Sequence, residues 1–170
     1  IAGGKLTGYR LMAKKVVDLI GKQLNINHKC TTQNIKISGG EFDTPDLVES
    51  FILSIKSRLK SLQIAEKKAE YLVRTYGKQA NSILEIFENE NFNVLVEAEV
   101  WFSLRYDSTI TLIDFFLRRT GKINFEPLIV LEEAKITLPQ FVKYLNWNKL
   151  AEKSAIKDLE NYLTSVTTFE

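Results

Sequence analysis

Apolar side chains recur at three- and four-residue intervals along most of this chain. Leu6, Tyr9, Ala13, Val16, Val17 and Ile20 share that spacing, which predicts a helix over 6–20. Its first turn holds Thr7 and Gly8 but no carboxylate, so several backbone amides and the positive end of the helix dipole are open to an outside acceptor. An anion or a polarised carbonyl suits such an end. Ahead of it, residues 1–4 read as the end of a strand entering a glycine turn, and 34–38 alternate enough to predict a short strand inside a glycine-containing linker.

From residue 44 onward the pattern is helical. Thr44-Pro45-Asp46 predicts a helix start, with a hydroxyl at the N-cap, proline at the first helical position and an acid after it. Leu47, Phe51, Leu53, Ile55, Leu59 and Leu62 carry that helix over 45–61. A second runs from 65 to 76 and stops at Gly77 in a left-handed cap, and a third spans 78–88. A polar break over 88–93 precedes Val94, Leu95, Ala98, Trp101, Phe102 and Leu104 at helical spacing. Thr111 and Asp114 resemble a capping box and open a helix that ends at Arg118, Arg119 and Gly121. Pro139 predicts the start of a short helix through Leu145, and 148–166 forms the last amphipathic helix.

The composition changes this picture little. Among 170 residues, 45% are hydrophobic and 26% charged, values of an ordinary globular protein that exclude collagen-like, disordered and disulfide-stapled classes. Net charge is +2, but residues 1–36 carry seven basic side chains against Asp18 alone, a local +6. One cysteine, Cys30, forms no internal disulfide, and a reducing, cytoplasmic setting fits it. Apolar runs such as Ile110–Leu117 fall well short of the ~20 residues that span a bilayer. The first residue is Ile and the only methionine is Met12, so the sequence reads as part of a longer polypeptide.

The segment Gly3-Gly4-Lys5-Leu6-Thr7 holds the strongest chemical signal, because glycines let a ligand approach the main chain and Lys5 adds a cation. A nucleotide P-loop needs Ser or Thr directly after Gly-Lys, and Leu6 stands there. The bland alternative is a strand-to-helix turn with a surface lysine. His28 and Cys30 lack further ligands for a four-ligand metal set, and a single histidine without a Gly-x-Ser-x-Gly elbow gives a serine hydrolase no support. Glu97 with Glu99, and Glu132 with Glu133, point to different helix faces and read as solvated charge. Arg118 and Arg119 read as C-terminal capping before phosphate binding, and Tyr71, Arg74 and Tyr76 as ordinary packing.

Three separated segments together carry a resemblance. They are Ala2-Gly-Gly-Lys-Leu-Thr-Gly-Tyr-Arg-Leu-Met-Ala13, Tyr71-Leu-Val-Arg-Thr-Tyr-Gly77, and the run from Ala98-Glu-Val100 to Asp114-Phe-Phe-Leu-Arg-Arg-Thr120, with Ile37-Ser-Gly-Gly40 between the first two. In this order they resemble the C-terminal part of FAD-dependent glycerol-3-phosphate dehydrogenases and the related glycerophosphate oxidases. Tyr106 and Asp107 stand where that family usually has acidic residues, and Ser108-Thr109 where it commonly has Met-Ala.

The resemblance implies a parent enzyme that oxidises sn-glycerol 3-phosphate to dihydroxyacetone phosphate, passing a hydride to flavin N5 and electrons onward to a quinone or to oxygen. It places Gly4, Lys5, Leu6 and Thr7 at the flavin and Lys5 also at the substrate. No catalytic residue and no metal site is expected here. The dinucleotide-binding Gly-x-Gly-x-x-Gly is absent from all 170 residues, so FAD is not expected on this piece alone and the piece is expected to be inactive. The expected fold is mainly α, with residues 1–43 as the tail of the flavin domain plus linker and 44–170 as an all-helical C-terminal domain. A homo-oligomer and peripheral contact with the inner face of the cell membrane stay open as partners; nucleic acid ranks lowest, because no aromatic platform accompanies the lysines. The alternative of another class is a stand-alone helical protein-interaction module.

Overall fold

Among the residues that the computed structural model describes, 5–26 and 28–168, the regular structure is helical and no strand occurs. The chain divides into two units, Ile1–Ile37 and Ser38–Glu170.

In the first unit a 3-10 turn, Leu6–Gly8, leads into α1, Tyr9–Gln23. The chain then folds back, with Ile26 N donating to Gly21 O at 2.8 Å and Arg10 Nη2 to Thr32 Oγ1 at 3.1 Å. The strand expected at 34–38 does not form. A 3-10 turn, Thr32–Asn34, is followed by irregular chain, because a lone alternating segment without a neighbouring strand leaves its backbone groups unpaired. The strand end expected at residues 1–4 lies outside the described residues.

The second unit contains α2 (Pro45–Ser61), α3 (Lys68–Tyr76), α4 (Ala80–Asn89), α5 (Leu95–Tyr106), a π-helical turn (Asp114–Arg119), α6 (Lys122–Phe125), α7 (Pro127–Leu145) and α8 (Lys149–Thr167). Its starts follow local chemistry. Pro45 opens α2 with Asp46 in the first turn, and Thr44 stands at the N-cap as expected but its hydroxyl makes no capping hydrogen bond. The Asn148 side chain caps α8 by accepting from the amides of Leu150 at 3.0 Å and Ala151 at 2.9 Å. Ahead of the π-helical turn, Asp114 Oδ2 accepts from Thr111 N at 2.9 Å while Thr111 Oγ1 accepts from Asp114 N at 3.0 Å, the reciprocal box expected from the sequence.

Helix α5 is apolar on nearly every side, as a central helix must be, and two cores share it. Ile52, Ile55, Leu59, Leu72, Ile83 and Leu84 pack on Leu95, Ala98 and Phe102. On the opposite side Phe115, Phe116, Val130, Phe141 and Leu159 pack on Val96, Val100, Trp101 and Leu104. Each fully buried large side chain contributes about 1.5–3 kcal/mol relative to exposure.

Two expectations are corrected. Pro139 does not start a helix; it lies inside α7, which runs unbroken from Pro127 to Leu145. Pro139 and Lys135, whose carbonyl loses its donor, are both exposed residues, and the apolar stripe of Ala134, Leu138 and Phe141 continues to pack through the proline. The segment ending at Arg119 is wound as a π-helix and not an α-helix, with the two consecutive rings of Phe115 and Phe116 both buried and 5.0 Å apart. Thr120 closes the turn by donating its amide to Phe115 O at 3.0 Å, and Gly121 follows at φ 68°.

Candidate functional site

Lys5 is extended, at φ −95° and ψ 137°, and turns the chain into the 3-10 start at Leu6. No side chain caps this start, and neither the 3-10 turn nor the first turn of α1 contains an acid. Lys5, Leu6 and Thr7 are exposed, Leu6 at 88% of its surface. Gly4, the fourth residue expected at the cofactor, lies outside the described residues. The amides of an uncapped, acid-free helix start carry partial positive charge, so with Lys5 beside them this end suits an anion or a polarised carbonyl. Among the described residues of the first unit, nothing covers it.

The helix behind the turn is as open as the turn itself. None of the residues of α1 is buried, and Tyr9, Leu11, Val17, Leu19 and Ile20 all present apolar surface. A 15-residue helix cannot hold itself in water by propensity alone, so this face calls for a cover. Next to it Cys30 shares a hydrogen bond with Thr32 Oγ1 at 3.1 Å, which draws the exposed thiol below its ordinary pKa.

The other family-like segments have structural work in the second unit. Gly39 and Gly40 of the connector lie against Tyr76-Gly77. Gly39 O accepts from Lys78 N at 2.8 Å, and Ser38 Oγ accepts from Gln79 Nε2 at 3.0 Å. Gly77 takes φ 57° and ψ −135°, positive as expected but outside the left-handed helical basin, and a Cβ there would overlap the Gly39 carbonyl. Both glycines are therefore required by the backbone crossing.

Glu99 corrects the reading of the paired carboxylates as solvated charge. It is buried and accepts from Tyr71 Oη at 2.6 Å and Tyr76 Oη at 3.0 Å. Burial pushes its carboxyl above the ordinary range, against the pull of Lys122 and the two hydroxyls. Glu133 holds the buried Lys122 at 2.6 Å, whereas Glu132 is exposed. Glu97 also has a partner set, accepting from the amides of Asn93 and Val94 at the start of α5 and from Gln140 Nε2. Helical spacing assigns Glu99 to a face but cannot say that α3 and α6 meet there; a glutamate set among the apolar residues of α5 is the only signal in the sequence. Arg118 pairs with Asp114 within its own turn. Thr109, which departs from the family pattern, is buried and bonded to Ser103 Oγ at 2.5 Å, which pins the loop before the π-helical turn.

The described residues thus define a mainly helical protein, with an exposed, acid-free helix start in its first unit and two cores sharing one helix in its second. Residues 30–152 match the family described as the C-terminal domain of alpha-glycerophosphate oxidase, and the chain belongs to that family. Among its relatives, the aerobic glycerol-3-phosphate dehydrogenase of Staphylococcus saprophyticus is 31% identical over 94% of this chain and 30% of its own length. That of Bacillus subtilis is 30% identical over 96% of this chain and 32% of its own. The glycerol-3-phosphate dehydrogenase from Bacillus halodurans, solved in complex with FAD, superposes with a TM-score of 0.84 at 26% identity, over 100% of this chain and 36% of that one. The chain thus spans about a third of the length of the relatives it matches. No helix among the described residues is long and apolar enough to cross a membrane.

Proposed function

We propose that this chain is the C-terminal part of an FAD-dependent enzyme that oxidises sn-glycerol 3-phosphate to dihydroxyacetone phosphate and passes the electrons to a quinone or to oxygen. The observation that carries the proposal is the uncapped, acid-free helix start at Lys5–Gly8, exposed at the head of a helix none of whose residues is buried. Similarity to glycerol-3-phosphate dehydrogenases over nearly the whole chain supports it. Bound flavin would supply the hydride acceptor. The chain's own part is electrostatic: the Leu6 and Thr7 amides, with Gly4 allowing close approach, stabilise negative charge that grows on reduction, and Lys5 holds an anionic oxygen of flavin or substrate. Such donors are fixed before the reaction, so they need no reorganisation during it.

The domain division near residue 43 is part of the same proposal. Subunit contact and peripheral attachment to the inner membrane face are consistent with it. The test uses the natural reading frame that contains these residues, purified and assayed with glycerol 3-phosphate and a quinone analogue, with peroxide measured in parallel. A flavin spectrum with turnover, reduced by about 10²-fold or more in Lys5→Ala, is expected. A protein without flavin, or one in which Lys5→Ala leaves turnover and flavin potential unchanged, overturns the proposal.

A further inference from the structure

Helix α4 ends against its own dipole. A carboxylate at a helix C-terminus meets partial negative charge and is unfavourable there, yet Glu88 lies in the last turn of α4, Glu90 caps it, and that turn holds no basic residue. The compensating cations come from other helices. Glu88 pairs at 2.5 Å with Arg58 of α2, a helix of the same first core. Glu90 turns the other way. Its Oε1 accepts from Trp101 Nε1 at 3.2 Å and lies 3.7 Å from Arg105 Nη2, both on α5, while its Oε2 lies 3.8 Å from Lys143 Nζ in the last turn of α7. The buried Trp101 ring carries the same two cations, Arg105 at 4.5 Å and Lys143 at 5.0 Å from its centre, with the Tyr144 ring crossed against it.

Helix α4 packs in the first core through Ile83 and Leu84, and α7 in the second through Val130, Ala134 and Phe141. One carboxylate at the end of α4 therefore meets donors from the shared helix and from a helix of the other core. A residue that breaks a local rule and is compensated only from elsewhere in the fold answers a tertiary demand. We propose that Glu90 is a latch that ties the end of α4 to the end of α7 over the Trp101 ring, and that ionic strength loosens it. The Glu90, Arg105 and Lys143 side chains are 31%, 39% and 71% exposed, so salt reaches their ion pairs. The apolar packing beneath them has no charge for salt to screen.

Hydrogen exchange followed by mass spectrometry on the full chain tests this, with protection corrected for the intrinsic rate at each salt concentration. Glu90→Gln keeps an acceptor for Trp101 Nε1 and loses the charge. It lowers protection over residues 84–92 and 139–146 by about threefold in about 20 mM salt. The loss is smaller in about 1 M salt, where the screening length is only about 3 Å. Glu88→Gln, whose cation belongs to the first core, leaves 139–146 within about 1.5-fold of wild type. If Glu90 were only an acid misplaced on a helix dipole, the sign would reverse, and Glu90→Gln would raise protection over 84–92. Unchanged or raised protection in Glu90→Gln, a loss confined to 84–92, a loss equally large in 1 M salt, or the same loss over 139–146 in Glu88→Gln overturns the latch.

Discussion

Replacing Gly77 by alanine tests the backbone crossing that joins the start of the second unit to its first core. At φ 57° and ψ −135° an L-residue is strained, and such regions cost about 1–3 kcal/mol. The added Cβ overlaps the Gly39 carbonyl, which must retreat and so lose the 2.8 Å bond from Lys78 N; that bond adds about 0.5–1.5 kcal/mol. The expected loss is therefore about 2–4 kcal/mol. For a unit of this size that corresponds to a Tm drop on the order of 10 °C. Gly121→Ala is the comparison within the same unit, because Gly121 is also at positive φ but its Cβ would meet only the Phe125 ring at ordinary contact distance. It should cost about 1–2 kcal/mol, the left-handed penalty alone. Urea unfolding followed by circular dichroism measures both. Gly77→Ala within about 0.5 kcal/mol of Gly121→Ala would refute the steric account, whatever the absolute values.

Other consequences are checked by the same unfolding measurements. Burial raises the Glu99 carboxyl, with Lys122 and the two tyrosine hydroxyls opposing, so the folded state binds that proton more tightly than the unfolded state. Glu99 therefore contributes stability that grows as pH falls through its raised folded pKa and levels off below the unfolded value; the difference between wild type and Glu99→Gln should shrink or reverse on acidification, and a pH-independent difference would contradict it. Asp114 behaves oppositely. Burial works against its charge, but Thr111, the amides of Ile110 and Thr111, and Arg118 outweigh burial and lower its pKa. Its contribution is present above the ordinary carboxylate range and is lost as pH falls through the lowered value; Asp114→Asn should therefore approach wild-type stability in acid, and a gap that widens there would contradict the assignment. Asn148→Ala removes both acceptor bonds at the start of α8 and should cost about 1 kcal/mol, read from the denaturant midpoint. Pro139→Ala should stabilise, because the Lys135 carbonyl regains a donor and this gain exceeds the unfolded-state entropy that proline removes; a loss above about 1 kcal/mol would show that the proline ring packs.

What can be read from the residues alone is local. The starts at Thr44-Pro45-Asp46, at Thr111 with Asp114 and at Asn148, and the positive φ of Gly77, depend on groups within a few residues of one another. The helical class follows from spacing, and the family-like segments point to the matched family because their order spans the chain. Periodicity also marks Tyr9, Val17 and Ile20 as one apolar stripe, without deciding whether anything covers them.

Tertiary contacts decided the rest. Whether a proline ends a helix depends on its surroundings, and Pro139 lies at an exposed position of α7 whose apolar stripe packs on either side of it. Whether a glutamate is solvated depends on which helices cross above it: Glu132 and Glu133 are neighbours in sequence, yet only Glu133 meets the buried lysine. The burial of Glu99 depends on tyrosines 23 and 28 residues away, and the winding of Asp114–Arg119 on what covers two adjacent phenylalanines, energies that no short window of sequence contains. Sequence alone determined helix starts such as those at Pro45 and after Asn148, where the deciding groups are neighbours along the chain, but not that of α7; only the packed structure determined which charges are held inside, because desolvation is a property of neighbours in space.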